Sequence, residues 1–160
     1  MGEQILEKVR IVVDEGTLKL TSLGQVSGVI YVQMSERSFP SQGWHDLCAS
    51  ILSMWLFSMN RYLLGLDETA TLYFMDGDYA LKLIHQSNQQ TIVRFMEPND
   101  VCCMESEIDI PYFAKQMLAA SVKIVNHFPQ HRDIRNIREI AERADALRDT
   151  LRTINARETM

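Results

Sequence analysis

The feature that most constrains this chain is one apolar stripe in its first half. Leu47, Cys48, Ile51, Leu52, Trp55, Leu56, Met59, Tyr62 and Leu63 follow one another at steps of three and four. That spacing places them on one wide face of a helix of 3.6 residues per turn. A face so broad and bulky must be covered, so the spacing predicts a long helix from about Trp44 to Leu66 buried against other elements. Gly65 marks its end, and Pro40 and Gly43 punctuate the chain before it.

The segments on either side alternate with a period of two. Ile5, Val9, Ile11 and Val13 lead to a break at Asp14-Glu15-Gly16, after which Leu18 and Leu20 resume the pattern, and Val29, Ile30 and Val32 form a third run. Beyond the helix, Leu72 and Phe74 precede Asp76-Gly77-Asp78, and Tyr79, Leu81 and Leu83 follow. An Asp-Gly pair between alternating runs is a hairpin signal, because glycine accepts the positive φ of a tight turn. Ser87 to Gln90 make a second polar turn, Ile92 to Met96 a further strand, and Val101 to Met104 another. Pro111 opens a helix through Phe113, Met117, Leu118, Val122 and Val125, and Pro129 closes it. The expected fold class is α+β: an antiparallel sheet of about five to six strands packed on a long central helix, with two C-terminal helices.

Residues 132–160 have a different character. Ile137, Ile140, Ala144, Leu147, Leu151 and Ile154 alternate steps of three and four with arginines and acids between them, the a and d positions of a heptad. Residues 1–131 therefore read as the α+β domain, and 132–160 as an amphipathic helix that is part of the same domain or a dimer seam. A homodimer follows from the second reading.

Charge and composition narrow the function. The 160 residues carry 16 Lys and Arg against 21 Asp and Glu, net −5, which disfavours sequence-independent binding to nucleic acid. The acidity belongs to residues 1–131, with 9 basic and 15 acidic side chains, whereas 132–160 hold 7 and 6. No run of 18 uncharged apolar residues exists and no basic leader precedes an apolar run, so neither a membrane partner nor a signal peptide is expected. Cys48, Cys102 and Cys103 are odd in number and two are adjacent, which suits reduced thiols in a cytoplasm better than a disulfide framework.

Catalytic patterns are sparse. Asp76 and Asp78 could be read as paired metal carboxylates, but the further acids of a calcium loop are missing and the hairpin turn explains them. His45 and Asp46 are adjacent and cannot face one another on a helix. Asp46 reads instead as a first-turn acid complementing the helix dipole, with Ser41 or Gly43 near the cap. His85, His127 and His131 have no ligands at zinc spacing, and Cys102-Cys103 lacks the spacer of a redox or zinc motif. No enzyme, cofactor or metal site is expected. Two acidic groups are more informative: Asp67, Glu68, Asp76 and Asp78 around the hairpin, and Glu97, Asp100, Glu105, Glu107 and Asp109 around a later strand. They form either an ordinary solvated face or a surface that steers a basic protein.

Phe39-Pro40, Gly43-Trp44-His45-Asp46, Trp55 and the run Leu72-Tyr73-Phe74-Met75-Asp76-Gly77-Asp78-Tyr79 resemble a pattern in small bacterial single-domain α+β proteins. Some of these serve as immunity proteins of polymorphic or contact-dependent growth inhibition toxin systems. The resemblance spans Phe39 to Leu83, and where its common form has proline after Asp-Gly this chain has Asp78. It implies a curved antiparallel sheet on the Trp44–Leu66 helix, and no active site. The expected function is a cytoplasmic immunity protein that neutralises a cognate toxin, itself basic, through the acidic residues above. The alternative is a structural or regulatory homo-oligomer with a small-ligand-binding sheet face.

Overall fold

The computed structural model describes residues 6–158. Ile5 lies outside the described residues. The first four strands are β1 (Val9–Leu20), β2 (Val26–Met34), β3 (Arg37–Phe39) and β4 (His45–Asp46). Helix α1 (Cys48–Leu63) precedes β5 (Thr69–Tyr73), β6 (Ala80–His85), β7 (Thr91–Glu97) and β8 (Val101–Ile108). Helices α2 (Ile110–His127) and α3 (Arg135–Glu158) complete the chain.

The class is α+β, but the strands form two four-stranded antiparallel sheets instead of one sheet of five to six. In the first, β2 pairs with β1 on one side and with both β3 and β4 on the other. The second is the meander β5-β6-β7-β8. The two are stitched by one parallel bridge, in which Glu7 N–H donates to the Glu107 carbonyl at 3.1 Å and Asp109 N–H to the Glu7 carbonyl at 2.9 Å. The divided sheet follows from α1, which packs against β2 of one sheet and β5 of the other. A helix with Ile51, Leu52, Trp55, Leu56 and Met59 fully buried has too much apolar surface for one sheet face to cover.

The expected break at Asp14-Glu15-Gly16 is a bulge within one continuous strand. The register slips between Asp14 and Lys19, so that Glu15 to Leu18 lie opposite Gly28 alone. Thr17 stabilises the bulge by donating from its hydroxyl to the Asp14 carbonyl and accepting from Val29 N–H. Gly28 is needed there because an added Cβ would lie 3.3 Å from Leu18 Cα and 3.2 Å from Thr17 Oγ1.

Helix α1 starts at Cys48, not Trp44. Trp44 to Asp46 are instead captured by β2: Ile30 N–H donates to the Trp44 carbonyl, and Val29 and Gly28 pair with His45 and Asp46. The helix ends at Leu63, short of the expected Leu66, and just beyond it Gly65, with φ of +76°, lets Leu66 N–H reach back to the Arg61 carbonyl and Gly65 N–H to that of Tyr62. Pro111 opens α2 as expected, with the Asp109 carboxylate accepting from Tyr112 N–H at 3.0 Å as the cap.

The heptad stripe of α3 is used inside the chain. Ile137, Ile140, Ala144, Leu147 and Leu151 are buried against α1 and α2, and Ile154 is half-buried. Polar contacts fix the same interface: Arg143 donates to the Ser53 carbonyl and hydroxyl, and Thr150 to the Asn60 amide oxygen. The buried positions of the stripe are thus occupied by packing within the chain. Deleting residues 132–160 should uncover the core sides of α1 and α2. The expected result is loss of the cooperative thermal transition and a rise in 1-anilinonaphthalene-8-sulfonate fluorescence; an unchanged transition with no dye binding would show that α3 is dispensable.

Candidate functional site

The Asp-Gly hairpin forms as the sequence predicts. Phe74 N–H donates to the Tyr79 carbonyl, and Gly77 takes φ of +70°. Tyr79 packs edge-on against Trp44 and Phe39, and Phe74 against Trp55 and Phe39, so the hairpin base is anchored in an aromatic cluster joining both sheets. Trp55 also donates its indole N–H to the Tyr73 carbonyl at 2.8 Å, which ties the edge strand β5 to α1.

Asp46 holds the hairpin tip. It lies outside α1, so it is not a first-turn acid; it is buried, at 6% exposed. Its Oδ2 accepts from Trp44 Nε1 and from the backbone N–H groups of Met75 and Asp76, each at 3.0 Å, and its Oδ1 accepts from Leu47 N–H at 2.7 Å. Four donors compensate one buried carboxylate, which is what makes its burial tolerable.

The meander sorts the nine acids by strand direction. The hairpin tip and the Pro98–Asp100 turn lie at the same end of the second sheet, since β5 and β7 both run toward it. Asp76, Asp78, Glu97 and Asp100 are therefore brought together. Asp67, Glu68, Glu107 and Asp109 lie at the opposite end, and Glu105 lies between. Several are committed within the chain: Asp67 pairs with Arg61 at 2.8 Å, Glu105 with Arg94 at 2.8 Å, and Asp109 caps α2. The hydrogen bond from Arg61 holds the Asp67 carboxyl below the usual carboxylate range. Asp76, Asp78 and Asp100 are exposed and make no ion pair among the described residues.

Between the hairpin tip and the Pro98–Asp100 turn lies an open cleft of about 970 Å³. Asp78, Glu97 and Asp100 line it, with Tyr73 and Lys82 from the sheet, Met75 from the hairpin loop and Met54 from α1. Sequence reading assigned the acids but missed Tyr73, Met54 and Met75, which are 58%, 38% and 47% exposed. Only the period-two alternation of β5, with Leu72 inward, placed Tyr73 outward.

Among the described residues no group of three or more His, Cys, Asp and Glu is placed to hold a metal ion, and no helix is long and apolar enough to cross a membrane. Cys48, Cys102 and Cys103 are unpaired. Burial pushes the Cys48 thiol up to about 12. Burial, then the neighbouring Glu97 carboxylate, also raises Cys103. No family model, no curated protein and no solved structure matches the chain.

Two outcomes follow. Asp46→Ala removes the shared acceptor of the Trp44, Leu47, Met75 and Asp76 donors and should destabilise by about 2 kcal/mol, since the four bonds are charge-assisted and partly buried. Hydrogen exchange should quicken at the Met75 and Asp76 amides first; unchanged exchange there would show that another contact holds the tip. Iodoacetamide at neutral pH should label Cys102 before Cys103, and Cys48 only on unfolding, because the thiolate is the nucleophile. Peptide mapping of partly labelled protein reads the order, and early labelling of Cys48 would contradict its burial.

Proposed function

We propose that this protein is a cytoplasmic immunity protein that binds and neutralises a basic toxin domain, with the acidic end of the second sheet as its contact surface. The observation that carries the reading is the set Asp76, Asp78 and Asp100: exposed, convergent on one end of the sheet, and without ion pairs among the described residues. Carboxylates already paired, such as Asp67 and Glu105, add little attraction for a newcomer. Unpaired ones of one sign raise the encounter rate with a cation-rich surface and repel acidic competitors. The contact face shifts accordingly from the whole acidic set to these three residues with Glu97. Binding by occlusion asks for no catalytic group, cofactor or metal.

The rigid base suits such a role. The Asp46 bracket and the aromatic cluster hold the hairpin tip before any partner arrives, so little ordering is left to oppose association.

The test is capture from the source organism with tagged protein at low and high salt, followed by association kinetics with the retained protein. A stoichiometric, salt-sensitive basic protein is expected. The triple variant Asp76→Lys, Asp78→Lys, Asp100→Lys should slow its association at least tenfold at low salt, with the difference shrinking as salt screens the charges. Reversal of Glu68 and Glu107 at the far end should change the rate little, and all variants should stay within about 0.5 kcal/mol of the parent in stability. Equal rates for the triple variant and the parent would end the acidic-steering reading, and recovery of this protein alone at higher mass would favour the homo-oligomer instead.

A further inference from the structure

The cleft between the hairpin tip and the Pro98–Asp100 turn has a second chemical character that charge steering does not use. Its apolar lining is largely thioether: Met54 from α1, Met75 from the hairpin loop and Met96 from the end of β7, beside the Tyr73 ring. Met54, Met75 and Tyr73 are substantially exposed, although the chain buries Trp55, Phe95 and Phe113 completely. They are not the only apolar groups left in water, since Leu23, Phe57, Leu64 and Leu66 are exposed as well, but these three lie together in one cleft. Methionine has three rotatable bonds and a polarizable sulfur, so a methionine-lined surface can reshape around an irregular apolar side chain.

The border of the cleft is of one dominant sign. Asp78, Glu97 and Asp100 contribute three carboxylates, against the single ammonium of Lys82. Glu97 is half-buried, while Asp78 and Asp100 are exposed. An apolar floor inside an acidic rim is complementary to a segment that carries a large apolar anchor between Lys or Arg residues. The cleft is wide and open, which fits a stretch of polypeptide better than an enclosed small molecule.

We propose that this cleft is the docking site for an amphipathic cationic segment of the partner. Its apolar anchor enters among Met54, Met75 and Met96, and its flanking cations meet Asp78, Glu97 and Asp100. The assignment rests on the protein-binding reading above and specifies what the acidic end recognises. Charge draws the segment in, and burial of the anchor slows its release.

The experiment uses the full chain with its methionine methyl groups labelled with carbon-13, and three synthetic peptides. One alternates leucine and lysine in a helical amphipathic pattern, one replaces its leucines by serine, and one replaces its lysines by glutamate. The leucine-lysine peptide should shift the methyl resonances of Met54, Met75 and Met96 and leave those of the buried Met59 and Met117 in place. The other two should bind at least tenfold more weakly. Met54→Ser with Met75→Ser, both at exposed positions, should weaken the first peptide at least tenfold while the thermal midpoint holds. Equal affinity for the serine peptide would overturn the anchor and leave acidic steering standing, as would a captured natural partner indifferent to the methionine variant. Peptide binding that leaves the three methyl groups unmoved would overturn the assignment of the cleft.

Discussion

The geometry of the acidic end depends on one buried carboxylate. Asp46 gathers N–H donors from Trp44, Leu47, Met75 and Asp76, segments that are about 30 residues apart at the extremes. Each bond is charge-assisted and sheltered from water, where it is stronger than at the surface. The arrangement also explains why α1 starts late. The carboxylate is needed by the hairpin, so its residue is held in a short strand against β2 before the helix begins.

Helix α1 has the complementary role. It is covered by the first sheet, by the second sheet and by α3, with α2 beside it. Trp55 is the shared point: its ring meets Phe74 and Phe113, and its indole N–H holds the carbonyl of Tyr73. Through it the edge strand carrying Tyr73 is fixed to the helix carrying Met54, and both residues line the cleft.

Much of this was legible locally. The three-and-four spacing of Ile51, Leu52, Trp55 and Leu56 marks α1, Asp76-Gly77 marks the hairpin and Pro111 marks α2, because each signal acts over a few residues. What was hidden depends on partners distant in sequence. Nothing near Asp14-Glu15-Gly16 distinguishes a bulge from a turn until β2 supplies Gly28 opposite. The division into two sheets needs knowledge of which strands pair. The stripe Ile137 to Leu151 suits a helix packed on the domain and also a dimer seam, since both bury one narrow face. The acids were recognised as a set, but proximity along the chain could not show that Asp76 and Asp100 converge while Asp67 lies at the other end, already paired with Arg61.

The parallel bridge from Glu7 to Ile108 bears on how the molecule is made. It joins a residue just before β1 to one that is synthesised about 100 residues later, roughly 5 to 20 s behind it at ordinary rates of synthesis. The β1–β2 pair contains only neighbouring segments and can form during that interval, with one side of Val9, Ile11 and Ile30 still uncovered. Completion then waits for β8 and α2, which arrive together because Asp109 both pairs with Glu7 and caps the helix. The residue that closes the seam between the sheets also caps the helix that covers the apolar face of the first hairpin, so both closures hang on Asp109.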